Sequence, residues 1–161
     1  MADSITRRPV REDLIVRVVA KALFPFILLF ALYVQFHGDF GPGGGFQAGV
    51  IFAAGWILYG LVFGLSDLQR ALPARWVEVG SALGVLLYGG FGVASLFLHG
   101  KFLDYNVLDH HSSVHGQHRG IFWVELGVGI TVASVMVLIF YAFAGRSAVV
   151  KQLEAERGEQ A

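Results

Sequence analysis

Three ionisable side chains of this 161-residue chain fall inside or at the edge of long apolar stretches: Glu125, Glu78 and His37. Charge is expensive in hydrocarbon, so a group of this kind is paired, hydrated or functional. A carboxylate there takes a proton, a cation or water, and a histidine at the margin titrates near neutral pH. Glu125 is the leading candidate for a proton or cation contact, against the plainer reading of a structural hydrogen bond to a loop or a neighbouring subunit. Glu78 stands where it can meet water or Arg75, and His37 where it can cap a helix end. The stretch from His99 to Arg119 adds His99, His110, His111, His115 and His118. If helical, it would bring His111, His115 and His118 to one face at a spacing able to hold a divalent ion, with Asp104 and Asp109 nearby. Ser112, Ser113 and Gly116 disfavour that helix. The expectation is therefore no metal and no cofactor, and a hydrated connection that meets a partner or responds to pH.

The elements that position these groups follow from composition. Hydrophobic residues make up 55% of the chain, mean hydropathy is +0.62, and only 12 basic and 12 acidic residues are present. Charge-free runs of 17, 27, 22 and 20 residues lie between Lys21 and Asp39, Asp39 and Asp67, Glu78 and Lys101, and Glu125 and Arg146. A membrane-crossing helix needs about 20 mostly apolar residues. The chain therefore reads as an all-α integral membrane protein with one four-helix transmembrane domain over 18–144 and spans at about 18–36, 45–65, 77–98 and 120–144. A segment over 1–17 precedes it and a charged tail over 145–161 follows. Glu125 then lies roughly 8 Å inside the last span at 1.5 Å per residue. Pro25 is expected to bend the first span or to start its regular part.

Ten of the 12 basic residues fall in the N-terminal segment, the Asp67–Trp76 connection and the tail, leaving Lys101 and Arg119 for the other side. The positive-inside rule places both termini in the cytoplasm and the other two connections outside. Zero net charge without a basic, aromatic-interleaved patch argues against nucleic-acid binding. The lack of cysteine excludes disulfides and thiolate chemistry. The arginine-bearing start followed by an apolar run is not read as a signal peptide, because no small-residue cleavage site follows it.

The organising stretch is Phe40–Gly49, in which five of ten residues are glycine and Pro42 fixes its own φ. It reads as a tight outer turn between the first two spans, and it lacks the Gly-Lys-Ser/Thr ending of a phosphate-cradling loop. Gly45 and Gly49, then Gly60 and Gly64, fall on one face of the second span and form a groove for another helix, with Val50, Ile57 and Leu61 opposite. Gly80 and Gly84 make a second such pair on the third span, followed by Gly89, Gly90 and Gly92. Helices built this way are suited to being packed against, which points to a subunit of a larger assembly.

His37-Gly38 followed by Pro42-Gly43-Gly44-Gly45-Phe46-Gln47-x-Gly49 resembles the B subunit of the Mrp (Mnh) multisubunit cation/proton antiporters. Leu103-Asp104-Tyr105-Asn106 and Gly120-Ile121-Phe122-x-Val124-Glu125-Leu126-Gly127-Val128 extend the likeness, and Ala48 stands where glycine is expected. The resemblance implies a small, multi-pass, non-enzymatic subunit of the bacterial cytoplasmic membrane. Its expected partners are other antiporter subunits, including large antiporter-like ones, in a complex exchanging sodium or other monovalent cations for protons. It also implies a role in assembly and in the cation route, with a related hydrogenase-type complex as a variant. The alternatives from the residues alone are a homo-oligomeric small channel or transporter, and an assembly or sensor protein using the outer histidines.

Overall fold

The computed structural model describes residues 14–38, 43–98, 100–105 and 113–159, the last segment by backbone alone at 113–115 and 147–159. Asp39 to Pro42 and His99, His110 and His111 lie outside the described residues. The described residues form five helices and no strand: α1 (Leu14–His37), α2 (Gly45–Phe63), α3 (Leu65–Ala71), α4 (Ala74–Phe97) and α5 (Ser113–Glu159). Four of them are long and apolar enough to cross a membrane, with α5 contributing Gly116–Arg146. Pro25 lies within α1, which is helical on both sides of it.

Two segments differ from expectation. The Asp67–Trp76 connection, read as a simple polar link, begins inside α3. Asp67 in its first turn and Arg70 in its last turn both favour the helix dipole, and Leu68 is fully buried beneath it. The last helix begins at Ser113 despite Ser113 and Gly116. The long apolar run after Gly120 carries the helix through these weak formers.

The helices form a row in the order α1, α2, α5, α4. α1 packs on α2, while α2 and α4 pack on opposite sides of α5, and α1 touches α5 only marginally. The small-residue stripes explain why α5 sits in the middle. A Cβ on Gly49 would lie 2.6 Å from the Gly129 carbonyl oxygen and 2.9 Å from Val132 Cβ. On the other side, a Cβ on Gly84 would meet Thr131 and would lie 2.7 Å from the Gly127 carbonyl oxygen, and one on Gly80 would lie 2.7 Å from Ser134 Oγ. Both grooves expected to receive an outside helix are thus occupied by α5 of the same chain. α5 answers with its own glycines: Gly127 approaches Gly84 and Tyr88 of α4, and Gly129 approaches Gln35 and Gly45. Two residues apart on a helix is about 200° of rotation, so these two glycines face opposite neighbours.

Gly64 is the exception among the stripe residues. It lies beyond the last residue of α2 with φ 106°, where a side chain would be strained, and its N–H donates to the Gly60 carbonyl at 2.9 Å. It turns the chain into α3 rather than extending the Gly60 groove. Ile57, expected to face outward, packs on the core formed by Ala53, Leu68, Val77, Val137 and Tyr141, whereas Leu61 is 61% exposed. The Tyr141 hydroxyl donates to the Leu72 carbonyl at 2.6 Å, fastening α5 to the link before α4.

At the other end of the row, the connection after α4 folds back on itself. The buried Ser95 hydroxyl accepts from the Leu103 N–H at 3.1 Å, and Leu103 takes φ 62°. The Phe102 ring rests on Gly92 and the Tyr105 ring on Gly120, so Gly92 is filled from within the chain. Burial, and secondarily Tyr88, push the Tyr105 phenol above its ordinary range, which keeps it neutral. Gly89 and Gly90 meet nothing within 4 Å and leave an open patch on α4.

Candidate functional site

The closest contact between α2 and α5 is also where Glu125 sits. A Cβ built on Gly45 would run into the Glu125 carbonyl oxygen, so the two backbones touch with no side chain between them. From there the half-buried Glu125 side chain turns back beneath the glycine turn. Its Oε1 lies 2.8 Å from where a Gly44 Cβ would be, and its Oε2 lies 2.7 Å from where a Gly38 Cβ would be. The end of α1, the start of α2 and the flank of α5 therefore meet around one carboxylate. Gly38 and Gly44 leave the carboxylate its place, and Gly45 lets the α5 backbone come up against α2.

Gly44, which precedes α2, brings no side chain to the start of that helix, and the carboxylate lies beside it. A helix N-terminus suits an anion, and the Glu125 carboxylate lies beside this one. An aromatic layer surrounds this level. Phe36 of α1 stacks on Phe122 of α5 at 5.8 Å, and Trp123 stacks on Phe91 of α4 at 5.8 Å. Aromatic side chains gather where hydrocarbon meets headgroups, consistent with a carboxylate held just inside that boundary.

Of the other residues singled out by sequence, Glu78 stands apart from it. His37 is exposed at the end of α1 and stacks on Tyr33, with ring centroids 5.1 Å apart. Glu78 is exposed near the start of α4, its carbonyl accepting from the Ser81 hydroxyl at 2.8 Å. The contacts between Gly84 and Gly127, and between Phe91 and Trp123, set the antiparallel register of α4 and α5. They put Glu78 roughly 15 Å from Glu125 along the helix axes. Phe46 and Gln47 are exposed, and Gly43 packs against Val34. His118 is exposed on α5, and of His115 only the backbone is described.

Sequence reading gave Gln35 no role and had Gly38 only as part of the glycine motif. Gln35 is buried at 6% exposure, with Oε1 2.7 Å from where a Gly129 Cβ would be. Its Nε2 is buried with no hydrogen-bond partner among the described residues. Gln35 and Gly38 are three apart and so share the α1 face turned toward α5, a signal visible in the sequence once Glu125 is taken as the target.

Comparison with known proteins covers most of the chain. A family model described as a domain related to the MnhB subunit of Na+/H+ antiporter matches residues 15–138. A Staphylococcus haemolyticus protein named as antiporter subunit mnhB2 is 32% identical over 140 residues, covering 83% of this chain and 96% of the relative. Its namesakes in Staphylococcus epidermidis and Staphylococcus aureus are 30% identical over 140 residues and 28% identical over 138, with the same coverage. The matched region includes the glycine turn, Gln35 and Glu125.

Proposed function

Since the chain belongs to the MnhB family of Na+/H+ antiporter subunits, we propose that it presents Glu125 to the proton or cation moved by the assembly it joins. It is a small multi-pass membrane subunit of a multisubunit Na+/H+ antiporter, as in the bacterial plasma membrane. The observation that carries the proposal is the Glu125 carboxylate, held between Gly38 and Gly44 at the start of α2. A carboxylate at that depth is a group able to exchange a proton or contact a monovalent cation. The positive-inside count supports an outer position for this end of the row, with both termini in the cytoplasm.

Subunit behaviour rests on the open shape of the row. α1 leaves Phe26, Leu29, Phe30, Tyr33 and Phe36 more than half exposed, a surface for lipid or for neighbouring transmembrane helices. The large antiporter-like subunits are the proposed neighbours, with this chain supporting their assembly and adding one carboxylate to the cation route. Purifying the tagged chain in mild detergent tests this. Several other membrane subunits should accompany it, and only that assembly should exchange Na+ for protons in proteoliposomes. A homo-oligomer of this chain that transports by itself would contradict the subunit role.

A further inference from the structure

A cleft of about 260 Å³ opens between α1, α2 and α5, lined almost entirely by apolar atoms of residues that include Leu32, Phe52, Leu126, Ile130 and Ala133. Its two polar side chains are turned to other uses. Gln35 sets Oε1 against Gly129 and has Nε2 buried, while Ser134 Oγ lies 2.7 Å from where a Gly80 Cβ of α4 would be. An apolar cavity of about 150 Å³ stays dry and takes a molecule the size of benzene, so this larger one suits hydrocarbon.

We propose that this cleft seats one acyl chain of an anionic phospholipid whose phosphate lies at Arg119, in the leaflet at the Glu125 end of the row. Arg119, Leu126, Ile130 and Ala133 are spaced by seven, four and three residues and so share one face of α5, with Arg119 exposed at its rim. Gly129 and Ile130, in the middle of the cleft, lie about 16 Å past Arg119 at 1.5 Å per residue. Half of a hydrocarbon core of roughly 30 Å is the same distance, so a chain whose headgroup meets Arg119 ends in the cleft. The far end of the face excludes a partner helix. One turn beyond Ala133, Val137 joins Leu68 of α3 in the core, and Leu68 and the Phe140 ring both close on Gly60. The Tyr141 hydroxyl then ties α5 to Leu72. A membrane-crossing helix laid along this face would run into α3, whereas an acyl chain stops short of it. Hydrocarbon gains little by leaving bulk lipid for an apolar cleft, so preference for this seat comes from packing and from the guanidinium–phosphate contact. The seated chain also fills the gap between α1 and α5, which touch only marginally.

The test uses the intact complex in phosphatidylglycerol vesicles doped with phosphatidylglycerol that carries a photoreactive diazirine at the end of one acyl chain. After irradiation, peptide mass spectrometry should find the label on Phe52, Ile130 or Ala133. With the diazirine placed next to the glycerol instead, the label should move to Phe122 and Trp123, which lie between Arg119 and Leu126. Arg119→Gln should lower the chain-end labelling about fivefold, the attraction of one basic side chain for an anionic headgroup, and Arg119→Lys should restore it. Filling the cleft with Ala133→Phe, or from its exposed side with Leu32→Trp, should abolish the labelling at normal complex yield. A cleft left unlabelled in the unsubstituted complex would overturn the proposal, as would labelling indifferent to Arg119→Gln. Loss of the complex with both filling variants would also overturn it, because it would mark the cleft as the seat of a partner's side chains.

Discussion

Gly45→Ala is expected to remove most of the folded subunit from the membrane, whereas Gly90→Ala is expected to leave its abundance unchanged. The added methyl group at Gly45 would overlap the Glu125 carbonyl oxygen and lie 3.0 Å from the Glu125 Cα, both backbone atoms of α5. No rotamer change relieves a clash between two backbones, so α2 and α5 must separate. Overpacking of this kind costs on the order of 3 kcal/mol, and here the two helices also lose the contact that joins the halves of the row. Whole-domain stabilities are about 5–15 kcal/mol, so the loss is a large share. Gly90 meets nothing within 4 Å, and alanine is the better helix former there. Quantitative immunoblotting of assembled complex, with Gly90→Ala as the matched control, checks the difference. Equal abundance of the two variants would mean that α2 and α5 do not meet at Gly45.

Gly38→Ala should show the opposite split, with near-normal assembly and exchange lowered about a hundredfold, the effect of moving a reacting group by roughly 1 Å. A Cβ at Gly38 would lie 2.7 Å from Glu125 Oε2 and 3.1 Å from the Gly44 Cα. The nearer atom is the far end of a flexible side chain, which can swing away at little cost to stability. What changes is where the carboxylate lies relative to the start of α2. The ratio of Na+/H+ exchange to assembled complex separates this outcome from a folding defect. A normal ratio would show that the carboxylate's present position does not matter to transport.

The two glycines stand seven residues apart in sequence and touch the same glutamate, yet one meets its backbone and the other its carboxylate. Nothing in a glycine-rich sequence distinguishes these roles. The four long helices were legible because charge-free runs of spanning length have no other comfortable place. Glu125 was legible because a carboxylate inside such a run is costly. The stripe at Gly45, Gly49 and Gly60 was legible as a groove but not its occupant, since spacing gives the face of a helix and not its neighbour. Gly127 and Gly129, on opposite faces of α5, carry the missing hint that this helix is gripped from both sides. Gly64 has the right spacing for the stripe, but positive φ belongs to chain direction, which periodicity does not encode. Gln35 was passed over because a glutamine near a helix end reads as interfacial until α5 is seen closing over it.

The most direct measurement is Na+/H+ exchange by the purified complex carrying Glu125→Gln, reconstituted in proteoliposomes and normalised to assembled complex across a range of pH. Glutamine keeps the shape of the side chain and removes its charge and its titration. With Glu125 as the proton or cation contact, exchange falls about a hundredfold or more while assembly is retained. Full exchange at every pH, from a normally assembled complex, would contradict that role and leave Glu125 a structural contact between α5 and the glycine turn.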